Sequence, residues 1–307
     1  MIKKEHEFIL NAVLIEKNEE EINYINKALD KQIDWIEVVG IAMNHRLGGY
    51  FYNGLTKEQR TKIPRELKKN IEMLVYGQAV NQEKMYKYIN ELNDILENCN
   101  IRYAGLKGII YGACLYTKGT RRSNDMDLLV HEEDLEQLDL IPYMKETDDG
   151  IIEIDINFLF DGKDNLIDSK VFDIGTRVYN GEQYSFRGLE IDTNLAFLIC
   201  HFYREATGEI WVNNKRNLII YKIVDMVNFI RHFEKHMNTE KLIKLFKELN
   251  IIEKALYSFL PIQKFYNQEF INEIIECISS NYNDIYQKYV NNHVFEKYFE
   301  DSFSLGK

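Results

Sequence analysis

The chain has 307 residues, 45% of them hydrophobic and 28% charged, and a net charge of -11. That balance suits a soluble globular protein, and the acidic excess argues against a broad, sequence-independent grip on nucleic acid, which needs clustered Lys and Arg. No apolar run approaches the roughly 20 residues of a membrane span, and none of Cys99, Cys114, Cys200 and Cys277 stands in a CxxC pair. Neither a membrane anchor nor a zinc knuckle is therefore expected.

The N-terminus passes quickly into acidic helix without a secretory h-region, so the expectation is a cytoplasmic protein with reduced thiols. Residues 5–100 read as helices. Ile22, Ile25 and Leu29 recur at helical spacing over Glu19 to Lys31. Asp34 caps a helix that begins at Trp35, and Gly48-Gly49 is expected to end it, with His45-Arg46 at its close. Pro64 opens a long helix running to about Glu97, with Leu74, Ala79, Tyr86, Ile89, Leu92 and Leu96 as a buried stripe. Residues 101–190 carry short strand-like runs: Ile101 to Ala104, Asp127 to Val130, and the alternating Ile151 to Phe158. Gln183 to Gly188 reads as an edge strand. From about Asp192 the chain returns to helix, at Leu195 to Arg204, at Leu218 to His232, and through 239–300. The plan is α+β: a helical region at 1–100, a small mixed sheet at 101–190 that carries the chemistry, and a helical region at 191–307.

The chemistry is read from an acidic constellation. Residues i and i+2 of a strand share a face, so Asp125 and Asp127 project side by side at the entry to the apolar run Leu128-Leu129-Val130. Two carboxylates forced together repel unless a cation lies between them. Magnesium binds through one or two carboxylates plus substrate phosphates. Glu153 and Asp155 share a face of the next strand, with Asn157 beside them. A neighbouring antiparallel strand would bring one of them in as a third acid, with room for one short helix (about Glu132–Leu140) and a turn in the connection. The same alternation with isoleucines equally suits the wet face of an amphipathic strand.

Lys107-Gly108, Arg121 or Arg122, and Asp125-Met126-Asp127-Leu128-Leu129-Val130 resemble the core of the uncharacterised bacterial nucleotidyltransferase family in the DNA polymerase beta-like superfamily. Asp34-Trp35 through His45-Arg46, Asp155-Ile156-Asn157, Phe197 to His201 and Leu218 to Asp225 extend the resemblance over roughly residues 30–235. It implies a mixed sheet flanked by helices, two magnesium ions, and transfer of a nucleoside monophosphate from an NTP, with ATP first among the four. It implies Asp125 and Asp127 as metal ligands and Asp155 as the third acid, with Glu153 as the alternative. Gly108 would approach the triphosphate, Lys107, Arg121 or Arg122 would neutralise it, and Ser123 would belong to the same nucleotide-binding loop. The sequence departs from the superfamily in having Lys107-Gly108 where a Gly-Ser pair is usual, and Asn157 where a histidine is common.

His201 and Asp225 stand on adjacent predicted helices, as a contact to substrate or nucleotide or, preferred here, as a buried polar pair or helix-cap interaction. Lys215-Arg216 reads as surface charge and the aromatic tail from Phe265 to Phe303 as helical core. The acceptor is expected to be a hydroxyl on a small molecule, peptide or protein. The alternatives are a tRNA-modifying nucleotidyltransferase toxin, a catalytically lapsed nucleotide-binding or regulatory module, and an unrelated helical protein whose D-x-D is structural.

Overall fold

A computed structural model of the protein describes residues 3–123, 125–140, 144–147, 150–157, 171–214 and 219–291. Asn124, Phe158, Lys215-Arg216, Leu218 and the part of the aromatic tail beyond 291 lie outside the described residues. The chain divides into two compact units, Met1–Ile71 with Leu198–Lys307, and Glu72–Phe197.

The first unit is helical. It contains α1 (Lys4–Ala12), α2 (Glu19–Leu29), α3 (Trp35–Asn44), α4 (Gly48–Gly54) and α5 (Lys57–Arg60). Asn18 and Glu21 form a reciprocal capping box at α2, which satisfies backbone donors that the first turn leaves open. Asp34 caps α3 by accepting from the N–H groups of Ile36 and Glu37. The chain leaves α3 at His45 and turns at Arg46, which has φ 57. Gly48-Gly49, expected to end that helix, instead opens α4, because the left-handed Arg46 has already made the turn. Phe8 packs edge-on to Trp35 and Phe51, with ring centroids 6.1 and 5.9 Å apart.

The second half of this unit holds α10 (Tyr221–Phe233), α11 (Thr239–Glu248), α12 (Ile252–Tyr266), α13 (Glu269–Asn281) and α14 (Asn283–Asn291). In α10, Ile223, Val224, Val227, Phe229 and Ile230 are fully buried. The divisions between the units fall inside α6 (Arg65–Asn98) and α8 (Ile191–Thr207), and α9 (Glu209–Asn213) follows α8. Among the described residues no helix is long and apolar enough to cross a membrane.

The second unit is built on a six-stranded mixed sheet, making the fold α+β. Its strands are β1 (Tyr103–Gly105), β2 (Asp125–Val130), β3 (Met144–Thr147), β4 (Gly150–Asn157), β5 (Thr176–Asn180) and β6 (Ser185–Leu189), in the order β3-β4-β2-β1-β6-β5. α7 (Gly108–Cys114) joins β1 towards β2. Along α6, Tyr86, Ile89, Leu92 and Leu96 are buried as the stripe predicts, whereas Leu74 and Ala79 are half-buried. Tyr103 and Phe186 pack edge to face across neighbouring strands at 5.4 Å.

Two sequence expectations are corrected here. β4 runs parallel to β2, not antiparallel. After β2 comes the expected short helix, a 3-10 stretch at Glu132–Leu140, and then β3, which is hairpin-paired with β4 and reverses the chain once more. β6 is not an edge strand: it lies parallel to β1 on one side, while β5 pairs along its other side.

Candidate active site

The register of the sheet sets the site. Asp125 stands opposite Glu153 and Asp127 opposite Asp155, in a parallel pairing that continues through Leu129 and Asn157. Paired residues on neighbouring strands share a face, and so do residues two apart on one strand. Asp125, Asp127, Glu153 and Asp155 therefore occupy one face of the β2–β4 ladder. Met126, Leu128, Val130 and Ile154, on the opposite face, are buried, and this apolar anchoring fixes which way the acids project.

The four acids differ in exposure. Asp127 is 4% exposed, Asp125 is half-buried, and Glu153 and Asp155 are exposed. Burial pushes the Asp127 carboxyl above its ordinary value; the Lys107 ammonium pulls it down, and the charge of Asp125 pushes it up again. Lys107 Nζ donates to Asp127 Oδ1 at 2.7 Å. Lys107 itself has φ 44, a strained backbone for a non-glycine residue, at the N-cap of α7. Asn157 donates from Nδ2 to the Asp155 carbonyl at 3.2 Å. Among the described residues no group of three or more His, Cys, Asp or Glu side chains is placed to hold a metal ion.

Gly108 follows Lys107 and is tightly enclosed. A Cβ there would lie 2.4 Å from Ser123 Oγ and 3.0 Å from Arg121 Nη1, so any side chain would displace the Ser123 and Arg121 side chains. Arg121 is buried, donates from Nη1 to Ser123 Oγ at 2.7 Å, and lies over the Tyr111 ring at 5.2 Å. Arg122 is exposed. Of the two arginines left open by the sequence, Arg121 is the one built into the Lys107–Gly108 corner.

Residues 31–141 match the protein family described as "Uncharacterised nucleotidyltransferase". The match supports a nucleotidyltransferase activity in general. It takes in Lys107, Gly108, Arg121, Arg122, Ser123, Asp125 and Asp127, and it ends ahead of β4 with Glu153, Asp155 and Asn157. No curated protein and no solved structure matches the chain.

His201 and Asp225 belong to the helical unit. His201 Nδ1 lies 3.4 Å from Glu205, whose other oxygen meets Lys222. Asp225 is buried and accepts from the Tyr50 hydroxyl at 2.7 Å. Sequence reasoning also missed residues of the sheet unit. Gln82 and Asn81 of α6 bond to main-chain groups of the segment carrying Arg121 and Ser123, and Tyr111 lies beneath the guanidinium. A glutamine in a long helix carries no sequence signal of its own, because its partners here are main-chain atoms.

Proposed function

We propose that the protein is a magnesium-dependent nucleotidyltransferase that transfers a nucleoside monophosphate from an NTP to an acceptor hydroxyl on a small molecule, peptide or protein. The observation that carries this reading is the shared face of Asp125, Asp127 and Asp155, in register on β2 and β4, beside the Lys107–Gly108 corner. The donor set suits the metal: hard carboxylate oxygens, one of them on a group whose ionised form burial disfavours, are what magnesium accepts when substrate phosphates supply further ligands. Asp125 and Asp127 would hold it. Bound magnesium supplies charge neutralisation at the transferring phosphorus.

The chain's own groups account for the rest. Lys107 and Arg121 are cations at the Gly108 corner, and they would offset the charge of a triphosphate bound there. Asp155, exposed opposite Asp127, would take the proton of the acceptor hydroxyl, with Glu153 as the alternative base. The acceptor oxygen then bonds to the α-phosphorus as the bond to the departing pyrophosphate breaks. Lys107 is already engaged with Asp127, so nucleotide binding would draw the ammonium from the carboxylate towards the phosphates.

The ion pair between Lys107 and Asp127 also favours a second reading, in which the site binds nucleotide without transfer. Thermal shift with each of ATP, GTP, CTP and UTP, with and without magnesium, tests both. A ligand that binds only the folded state raises apparent stability. The expected result is a magnesium-dependent stabilisation that disappears in Asp125→Asn/Asp127→Asn, together with slow pyrophosphate release. Stabilisation without pyrophosphate release in the presence of candidate acceptors would support the second reading, and no shift with any NTP would overturn both.

A further inference from the structure

The segment between α7 and β2 is held against α6 at two main-chain points by the Gln82 side chain. Gln82 is 5% exposed. Its Oε1 accepts from the Gly119 N–H at 2.6 Å and its Nε2 donates to the Arg121 carbonyl at 2.8 Å. One planar amide thus satisfies two main-chain groups two residues apart. Its neighbour Asn81 reaches the Ser123 carbonyl at 3.4 Å. Gly119 has φ +84, and a Cβ there would lie 2.7 Å from the Val75 carbonyl of α6, so the segment lies flat against the helix. Thr120 closes the turn through its N–H to the Thr117 carbonyl at 3.1 Å.

The consequence falls on Arg121. Its backbone is held from one side by Gln82, while its guanidinium lies between Ser123 Oγ and the Tyr111 ring and closes over Gly108. A cation so near a triphosphate corner acts through placement, because a charge-assisted contact weakens when its angle or distance is lost. We infer that Gln82 is a positioning residue for nucleotide binding: it aims Arg121 at the triphosphate by clamping the main chain at Gly119 and Arg121. This inference rests on the nucleotidyltransferase reading and adds to it a residue on another element that never touches the substrate.

A purely structural pin would lower stability and leave nucleotide affinity alone. The test is therefore a double-mutant cycle read by calorimetric titration of each NTP with magnesium, with the melting temperature of every variant measured alongside. Gln82→Met keeps the length and removes both bonds. Gln82→Glu keeps the acceptor for Gly119 N–H and removes the donor to the Arg121 carbonyl. In the wild-type background Gln82→Met is expected to weaken binding of the preferred NTP about tenfold, and Gln82→Glu, which turns a carboxylate oxygen onto the Arg121 carbonyl, at least as much. In an Arg121→Ala background the same change should weaken binding by less than about twofold, because the group it aims is gone. Equal losses in both backgrounds, or a melting-temperature drop with unchanged affinity, would overturn the positioning role while leaving the nucleotide site standing. Absence of NTP binding by the folded wild type would remove the nucleotide reading, and this inference with it. Should Gln82→Met fail to fold, Gln82→Glu carries the same comparison.

Discussion

Asp127 is the residue on which charge, burial and partner choice meet. Its carboxyl is raised by burial against the pull of Lys107, so the folded protein disfavours its ionised form. A group with a raised folded value contributes stability fully below its unfolded value, about 4 for aspartate, and that contribution is lost as pH rises through the folded value. Asparagine carries no such proton. In metal-free buffer the melting temperature of Asp127→Asn should therefore gain on that of the wild type as pH rises from about 4 to 7, while nucleotidyl transfer is lost. A variant that loses ground over that range would show that Lys107, not burial, governs the group. Gly108 makes the complementary case for space. Gly108→Ala would press against Ser123 and Arg121, at an expected cost of about 1–3 kcal/mol, measurable by urea unfolding, together with loss of the magnesium-dependent NTP shift.

The β2–β4 ladder was half legible in the sequence. The two-residue period of a strand is enough to place Asp125 with Asp127 and Glu153 with Asp155, because it follows from the backbone alone. Strand direction was not legible: β3 is a four-residue strand, too short to show a period of its own, and its local hairpin pairing with β4 reverses the chain and turns an expected antiparallel neighbour of β2 into a parallel one. The corner at Arg121 was legible only as a choice between two arginines, since exposure of Arg122 and burial of Arg121 are decided by packing against Tyr111 and α6. In the same way Gly48-Gly49 looked like a stop signal until Arg46 proved to make the turn. Register yields a prediction at this level. Asp155, paired with Asp127, should matter more to transfer than Glu153, paired with Asp125. Asp155→Asn is expected to reduce turnover on the order of a hundredfold or more and Glu153→Gln far less; the reverse order in single-turnover assays would exchange the two roles.

At the scale of the molecule, charge sorts the acceptors. A net charge of -11 repels polyanions at low ionic strength, and in the proposed function phosphate would be met by local cations such as Lys107 and Arg121. Retention of tRNA in gel shift is accordingly expected to be negligible at about 0.15 M salt. Tight binding that falls steeply with added salt would instead favour a tRNA acceptor. The acidic protein and an NTP are compatible because a triphosphate needs one compact corner, whereas a long nucleic acid needs an extended basic track.

The Gln82 clamp also bears on how such a sequence can drift. It grips an N–H and a carbonyl, atoms that nearly every amino acid carries, so the fastening does not depend on the side chains along the segment. In a library randomised from Thr117 to Thr120 and selected for activity, Lys118 should accept many replacements, because its bond to Glu83 is at the surface. Position 119 should reject proline, which has no N–H to give, and should return glycine almost every time. The loop is thus free to vary in what it displays and constrained in how it is tied down.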